Sequence, residues 1–137
     1  MPEEAVQQDM FTVLRGQNAP VVTRWSYCAD DPFAVTLSVR TGNDRWVDWL
    51  MARDLVAEGL TQPAGIGDVR ISPQTIQGYD VVAIEISSHD GRAVLEVDRR
   101  LLQDFIARTY AVVPPGTEQT RLKLDDEIEK ITRSCAE

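Results

Sequence analysis

The run Trp46-Val47-Asp48-Trp49-Leu50-Met51 limits the possible folds of this chain more than any other segment. Read as a strand, it puts Val47, Trp49 and Met51 on one face and Trp46 and Leu50 on the other, because side chains alternate with a period of two. A strand that is apolar on both sides is either central in a layered fold or half covered by a partner. It leads directly into Arg53-Asp54-Leu55-Val56-Ala57-Glu58, which reads as a short helix. Gly59 is the expected left-handed stop of that helix. Pro63 and Gly65-Ile66-Gly67 then break the chain before Val69-Arg70-Ile71.

The same periodicity organises the rest. Residues 20–28 alternate Val21, Thr23, Trp25 and Tyr27 against Val22, Arg24, Ser26 and Cys28. Asp30-Asp31 before Pro32 predicts a turn. Phe33, Val35, Leu37 and Val39 then face one way and Ala34, Thr36, Ser38 and Arg40 the other, the clearest strand signal in the chain. Thr41-Gly42-Asn43-Asp44 predicts a tight hairpin turn with Gly42 and Asn43 at positive φ. Val82, Ile84 and Ile86 mark a further strand, and Ser88-His89-Asp90-Gly91 turns it into Ala93, Leu95 and Val97. Residues 5–14 alternate poorly and predict only a weak strand. Asp98 is placed to cap a helix whose stripe is Leu101, Leu102, Phe105, Ile106 and Thr109, ended by Pro114-Pro115-Gly116. A last helix is expected from about Asp125, with acids at its start and Lys130 and Arg133 near its end. The order is strands then helix, twice.

Composition narrows the function. A chain of 137 residues fits one domain, 1–137, burying about two-thirds of its unfolded surface. The 14 Lys and Arg stand against 22 Asp and Glu, a net charge of −8, which repels nucleic-acid backbones and anionic lipid. No apolar run approaches the roughly 20 residues that cross a bilayer, and the acidic start, Met1-Pro2-Glu3-Glu4-Ala5, lacks a signal-peptide core. A cytoplasmic protein is expected, with Cys28 and Cys135 as free thiols.

Catalytic chemistry finds no support. His89 is the only histidine and falls in a predicted turn, so a triad lacks its base. Gly65-Ile66-Gly67 opens like a dinucleotide loop, but Arg70 stands where the third glycine belongs. One histidine and two distant cysteines make no zinc site. The pairs Asp30-Asp31 and Asp125-Asp126 read as a turn and a helix-dipole complement. No catalytic residue, metal or cofactor is therefore assigned.

The ordered combination of Asp31-Pro32-Phe33-Ala34-Val35, the segment from Arg45 to Arg70, and Val113-Pro114-Pro115-Gly116-Thr117-Glu118 resembles the SsgA-like proteins, small actinobacterial proteins of sporulation and cell division. The resemblance spans about residues 25 to 131. It implies an α+β fold of two packed antiparallel β-sheets with helices, similar to the Whirly single-strand-binding proteins, and a bell-shaped homotrimer. It also implies a non-enzymatic role in septum placement. The best-understood type in the family binds the tubulin-like division protein FtsZ and recruits it to sporulation septa. The partners implied are FtsZ or another SsgA-like protein, at the division septum.

Trp46, Trp49, Met51, Arg53, Asp54 and Glu58 are the interaction candidates. Trp46 and Trp49 lie on a predicted strand, where aromatic residues are usually core, but they point to opposite faces, so one of them either packs in the core or sits at an interface with a subunit or partner, where Trp is enriched. Arg53, Asp54 and Glu58 are expected to be exposed beside them, either meeting a partner or pairing and capping locally. The alternative function is a single-stranded nucleic-acid module built on Arg24, Arg40, Arg45 and Arg70 beside Trp25 and Trp46, which the net charge opposes. A small hydrolase, the third class, lacks a base.

Overall fold

The computed structural model describes residues 5–17 and 19–119. The final helix expected from Asp125, and Cys135, lie outside them. Seven strands form one antiparallel sheet: β1 (Ala5–Leu14), β2 (Pro20–Cys28), β3 (Ala34–Arg40), β4 (Trp46–Ala52), β5 (Val69–Ile76), β6 (Tyr79–Ser88) and β7 (Gly91–Asp98). Helix α1 (Arg53–Gly59) follows β4, and α2 (Arg99–Val112) follows β7. The repeat of strands then helix is therefore present twice.

The expected pair of packed sheets is replaced by a single sheet in the order β4-β3-β2-β1-β7-β6-β5. The physical reason lies at the end of β1. It pairs with β2 along nearly its whole length, and its last residues, Val13 and Leu14, also pair with Glu96 and Leu95 of β7. Arg15 continues this short ladder through its backbone N–H to the Val94 carbonyl at 2.9 Å. One chain segment thus stitches a four-stranded half to a three-stranded half. Helix α2 then covers the apolar face, burying Leu102, Phe105 and Ile106 against Trp25, Val82 and Val97.

Strand β1 shows why its alternation reads poorly. Its inward Thr12 is 1% exposed, and its hydroxyl meets that of Thr23 at 2.9 Å. Thr23 in turn bonds the Met10 carbonyl at 2.9 Å. Gln8 accepts from Arg108 of α2 at 3.0 Å. Polar residues therefore occupy core-facing positions because partners on β2 and α2 satisfy them.

Two local expectations change for steric reasons. Gly59 is the last helical residue rather than a left-handed stop. A Cβ there would lie 2.2 Å from Ile71 Cγ2, so glycine is needed for the close approach of α1 to β5. Gly59→Ala should cost about 1–3 kcal/mol by overpacking, measured as a lowered urea midpoint with unchanged slope. In the β3–β4 turn, positive φ falls on Asn43 and Asp44, not on Gly42. Asp98 caps α2 as expected, accepting from the Leu101 N–H at 3.0 Å. Leu101 itself, placed in the buried stripe, is 38% exposed.

Candidate interaction surface

Strand β4 lies at the sheet edge, so its side chains divide between a covered face and an open one. On the covered face Met51 is buried, Trp49 is half-buried opposite Leu37, and Val47 stands opposite Val39 at the margin. On the open face Trp46 and Leu50 are 39% and 65% exposed. The Arg24 guanidinium stacks 4.7 Å from the Trp46 ring centre, and Asp9 holds it by two contacts at 2.8 and 3.2 Å. Hydrogen bonding to Arg24 lowers the Asp9 pKa, and the same bond raises that of Arg24. The pair leaves a charge-neutralised platform beside a partly exposed indole.

The candidate residues of α1 separate sharply. Asp54 and Glu58 are exposed, Glu58 accepting from Gln62 at 3.1 Å. Arg53, expected beside them at the surface, is 0% exposed. The last strand residues of β4 turn its side chain inward, where the guanidinium carbon lies 4.9 Å from both the Tyr27 and Tyr110 ring centres. Its Nη1 donates to the Thr109 and Val113 carbonyls at 3.2 and 2.8 Å, closing the C-terminal end of α2. Its Nη2 stands 3.1 Å from Glu118 Oε2 as an ion pair.

This cluster shifts its neighbours. Burial pushes the Glu118 carboxyl up, but its own backbone N–H, the Arg53 guanidinium and the Gly116 backbone outweigh burial and hold it below its ordinary value. Burial raises the Tyr27 and Tyr110 phenols, and the Arg53 charge opposes that rise in both. Arg53 is therefore a buried strut rather than a contact residue. The partner it pairs with is Glu118, sixty-odd positions away and not the adjacent Asp54, which is why spacing alone misplaced it.

Other sequence readings sort by exposure. His89 and Asp90 form a solvent-exposed pair at 3.5 Å in the β6–β7 turn. Trp25 is fully buried against Phe105, with ring centres 5.9 Å apart, so it offers no base a stacking face. Arg40 is engaged by Asp44. Among the described residues no three His, Cys, Asp or Glu side chains gather as a metal site, and no helix is long and apolar enough to cross a membrane. Phe11, 70% exposed on the open face of β1, was missed, because the weak alternation of its strand hid which way it pointed.

The family model described as Streptomyces sporulation and cell division protein, SsgA, matches residues 21–118. The Sporulation-specific cell division protein SsgB of Streptomyces coelicolor is 46% identical over 112 residues, 82% of each chain. SsgB of Saccharopolyspora erythraea is 45% identical over 124 residues, 89% of this chain and 87% of that one. Among solved structures, one from work relating mutations in SsgB to longitudinal cell division during sporulation of Streptomyces coelicolor superposes with a TM-score of 0.81 at 42% identity. It covers 85% of this chain and 94% of the other. The SsgA-like sporulation-specific cell division protein from Thermobifida fusca superposes with a TM-score of 0.85 at 32% identity, covering 95% and 98%. With its model matched across both halves of the sheet and its relatives aligned over most of their length, the chain belongs to the SsgA family of sporulation and cell division proteins.

Proposed function

We propose that this protein is a non-enzymatic, SsgB-type regulator that acts in the cytoplasm at the sporulation septum and recruits the tubulin-like protein FtsZ there. The observation that carries this reading is the Trp46–Leu50 surface: large apolar side chains on an open sheet face, set on the Arg24–Asp9 pair. Aromatic side chains on a rigid support tend to dominate protein–protein affinity. The names of its relatives support the division role. Self-association into a trimer belongs to the same reading, because Phe11, Trp46 and Leu50 leave exposed apolar surface on the open face that a second subunit would cover.

Trp46→Ala combined with Leu50→Ser should abolish septal localisation of fluorescent FtsZ in sporulating cells. The fold should hold, since both side chains are exposed and surface changes typically move stability by about 0.5 kcal/mol. Sedimentation equilibrium of the unaltered protein should give a mass near three chains. A folded double variant that still recruits FtsZ would place the binding face elsewhere. The nucleic-acid reading has no observation in its favour: Arg24 and Arg40 are ion-paired and Trp25 is enclosed.

A further inference from the structure

The two edges of the sheet are treated differently. In β5 the bridge between Ala64 and Ile71, with N–H···O contacts of 2.8 and 2.9 Å, shows that Ile71 turns its backbone outward. Alternate residues share that direction, so Pro73 is also outward and has no N–H to offer. One outward position is therefore already bonded and the next lacks a donor. This is how natural sheets close an edge.

Strand β4 has neither device. Its ladder with β3 is bounded by Arg53 N–H to the Phe33 carbonyl at 2.7 Å and Thr41 N–H to the Arg45 carbonyl at 2.7 Å. Both lie in the register that sets Leu37 against Trp49. In an antiparallel ladder the bonded residues alternate, so Val47, Trp49 and Met51 bond β3 while Trp46, Asp48 and Leu50 aim their N–H and C=O away from the sheet. All three are exposed, as is Val47 on the other face. Among the described residues, backbone groups and side chains of the same three residues thus have no covering partner, beside the apolar margin of Val47 and Trp49.

We propose that β4 is a docking edge for an extended, basic–apolar segment of a partner protein, which adds to the sheet as an eighth strand. The charge pattern selects this occupant. Asp48 on the strand and Asp54 just past its C-terminal end have no cation paired to them among the described residues, so the edge is acidic from its middle onward, with Arg45 before its N-terminal end. A second copy fits poorly. Antiparallel self-pairing with the open faces aligned sets Asp48 against Trp46, Asp48 or Leu50 of the other chain, none of them a cation, between chains of net charge −8. The incoming strand offers apolar residues toward Val47 and Trp49 and alternates Lys or Arg toward Asp48. This inference rests on the partner-binding reading above and names the part of the partner that is held.

The test uses a fluorescein-labelled peptide, Thr-Val-Lys-Val-Lys-Val-Thr, with the full chain, alongside cosedimentation with FtsZ polymers. The peptide should bind saturably, and the amides of Trp46, Asp48 and Leu50 should gain at least about 10-fold protection from hydrogen exchange. Asp48→Pro removes one outward N–H and no bond to β3, so it should keep its circular dichroism and lose about 5–10-fold in peptide affinity. Asp48→Asn, which keeps the N–H, should lose less. Asp48→Lys should weaken binding through charge alone and serves if the proline variant fails to fold. No binding by the unaltered chain, or equal binding by the folded Asp48→Pro and Asp48→Lys proteins, overturns the proposal. So does a fall in sedimentation mass of Asp48→Pro, which would make the edge a subunit contact. If FtsZ cosediments equally with wild type and Asp48→Pro, strand addition fails and the FtsZ reading stands. If the peptide binds but FtsZ does not cosediment, strand addition stands and the FtsZ reading fails.

Discussion

Arg53→Ala is expected to lower stability by about 3–5 kcal/mol, the range found when one partner of a buried ion pair is removed. Against a total of about 5–15 kcal/mol for a domain, that places the variant near unfolding at moderate temperature. Three losses coincide. Glu118, 6% exposed, keeps a charge with no counter-ion, the Thr109 and Val113 carbonyls lose their donor, and the space between the Tyr27 and Tyr110 rings empties. Chemical denaturation should show the drop, and Arg53→Lys should recover only part of it, because an ammonium cannot reach carboxylate and carbonyls in one plane. A change under 1 kcal/mol would mean that water replaces the guanidinium and that the cluster is not a strut. The pH dependence follows from the same contacts. The Glu118 carboxyl titrates below its ordinary 4.5 in the folded chain, so its contribution is present above that pH and is lost as pH falls through the lower folded value. Glu118→Gln should therefore flatten the acid side of the stability curve.

Trp25→Ala should cost about 3–5 kcal/mol, the usual penalty for emptying an aromatic core position. Trp25 is 0% exposed at the centre of β2, meeting Phe105 of α2 and standing opposite Leu37 of β3. Its loss opens the contact between sheet and helix, so the m-value should stay constant only if the helix remains docked. Trp25→Phe provides an internal comparison. The indole Nε1 is buried without a hydrogen-bond partner among the described residues, a strain on the native state that phenylalanine lacks. Phe should consequently cost well under half of the alanine penalty. A phenylalanine penalty as large as the alanine one would overturn this expectation.

Both predictions concern residues that face inward, and their faces were partly legible. Val35, Leu37 and Val39 alternate with small polar residues, and they are buried in the structure as the period of two requires. Asp98 stands where a capping side chain must, and Leu102, Phe105 and Ile106 follow at helical spacing onto the buried side of α2. Met51 and the Trp46/Trp49 opposition also follow from alternation alone. These features depend on neighbours within a few positions, which a linear pattern records.

By itself, then, the sequence determined the strands, the two helices of the described chain, the turns at Asp30-Asp31 and His89-Asp90, and the opposed faces of β4. Only the tertiary structure decided that the strands share one sheet, because the two residue pairs joining β1 to β7 carry no signature in either strand. It alone decided that Arg53 is inside: a guanidinium beside Asp54 reads as surface until Glu118, Thr109 and Val113 are brought to it from elsewhere in the chain. It decided equally that Gly59 serves a close approach to Ile71 rather than a helix stop. And it decided which sheet edge is open, since Pro73 is visible in the sequence but its outward direction depends on the register of β5 with β6 and the bridge from Ala64. Local periodicity is a property of neighbouring residues, whereas burial, pairing and edge exposure arise from contacts between residues far apart in the chain.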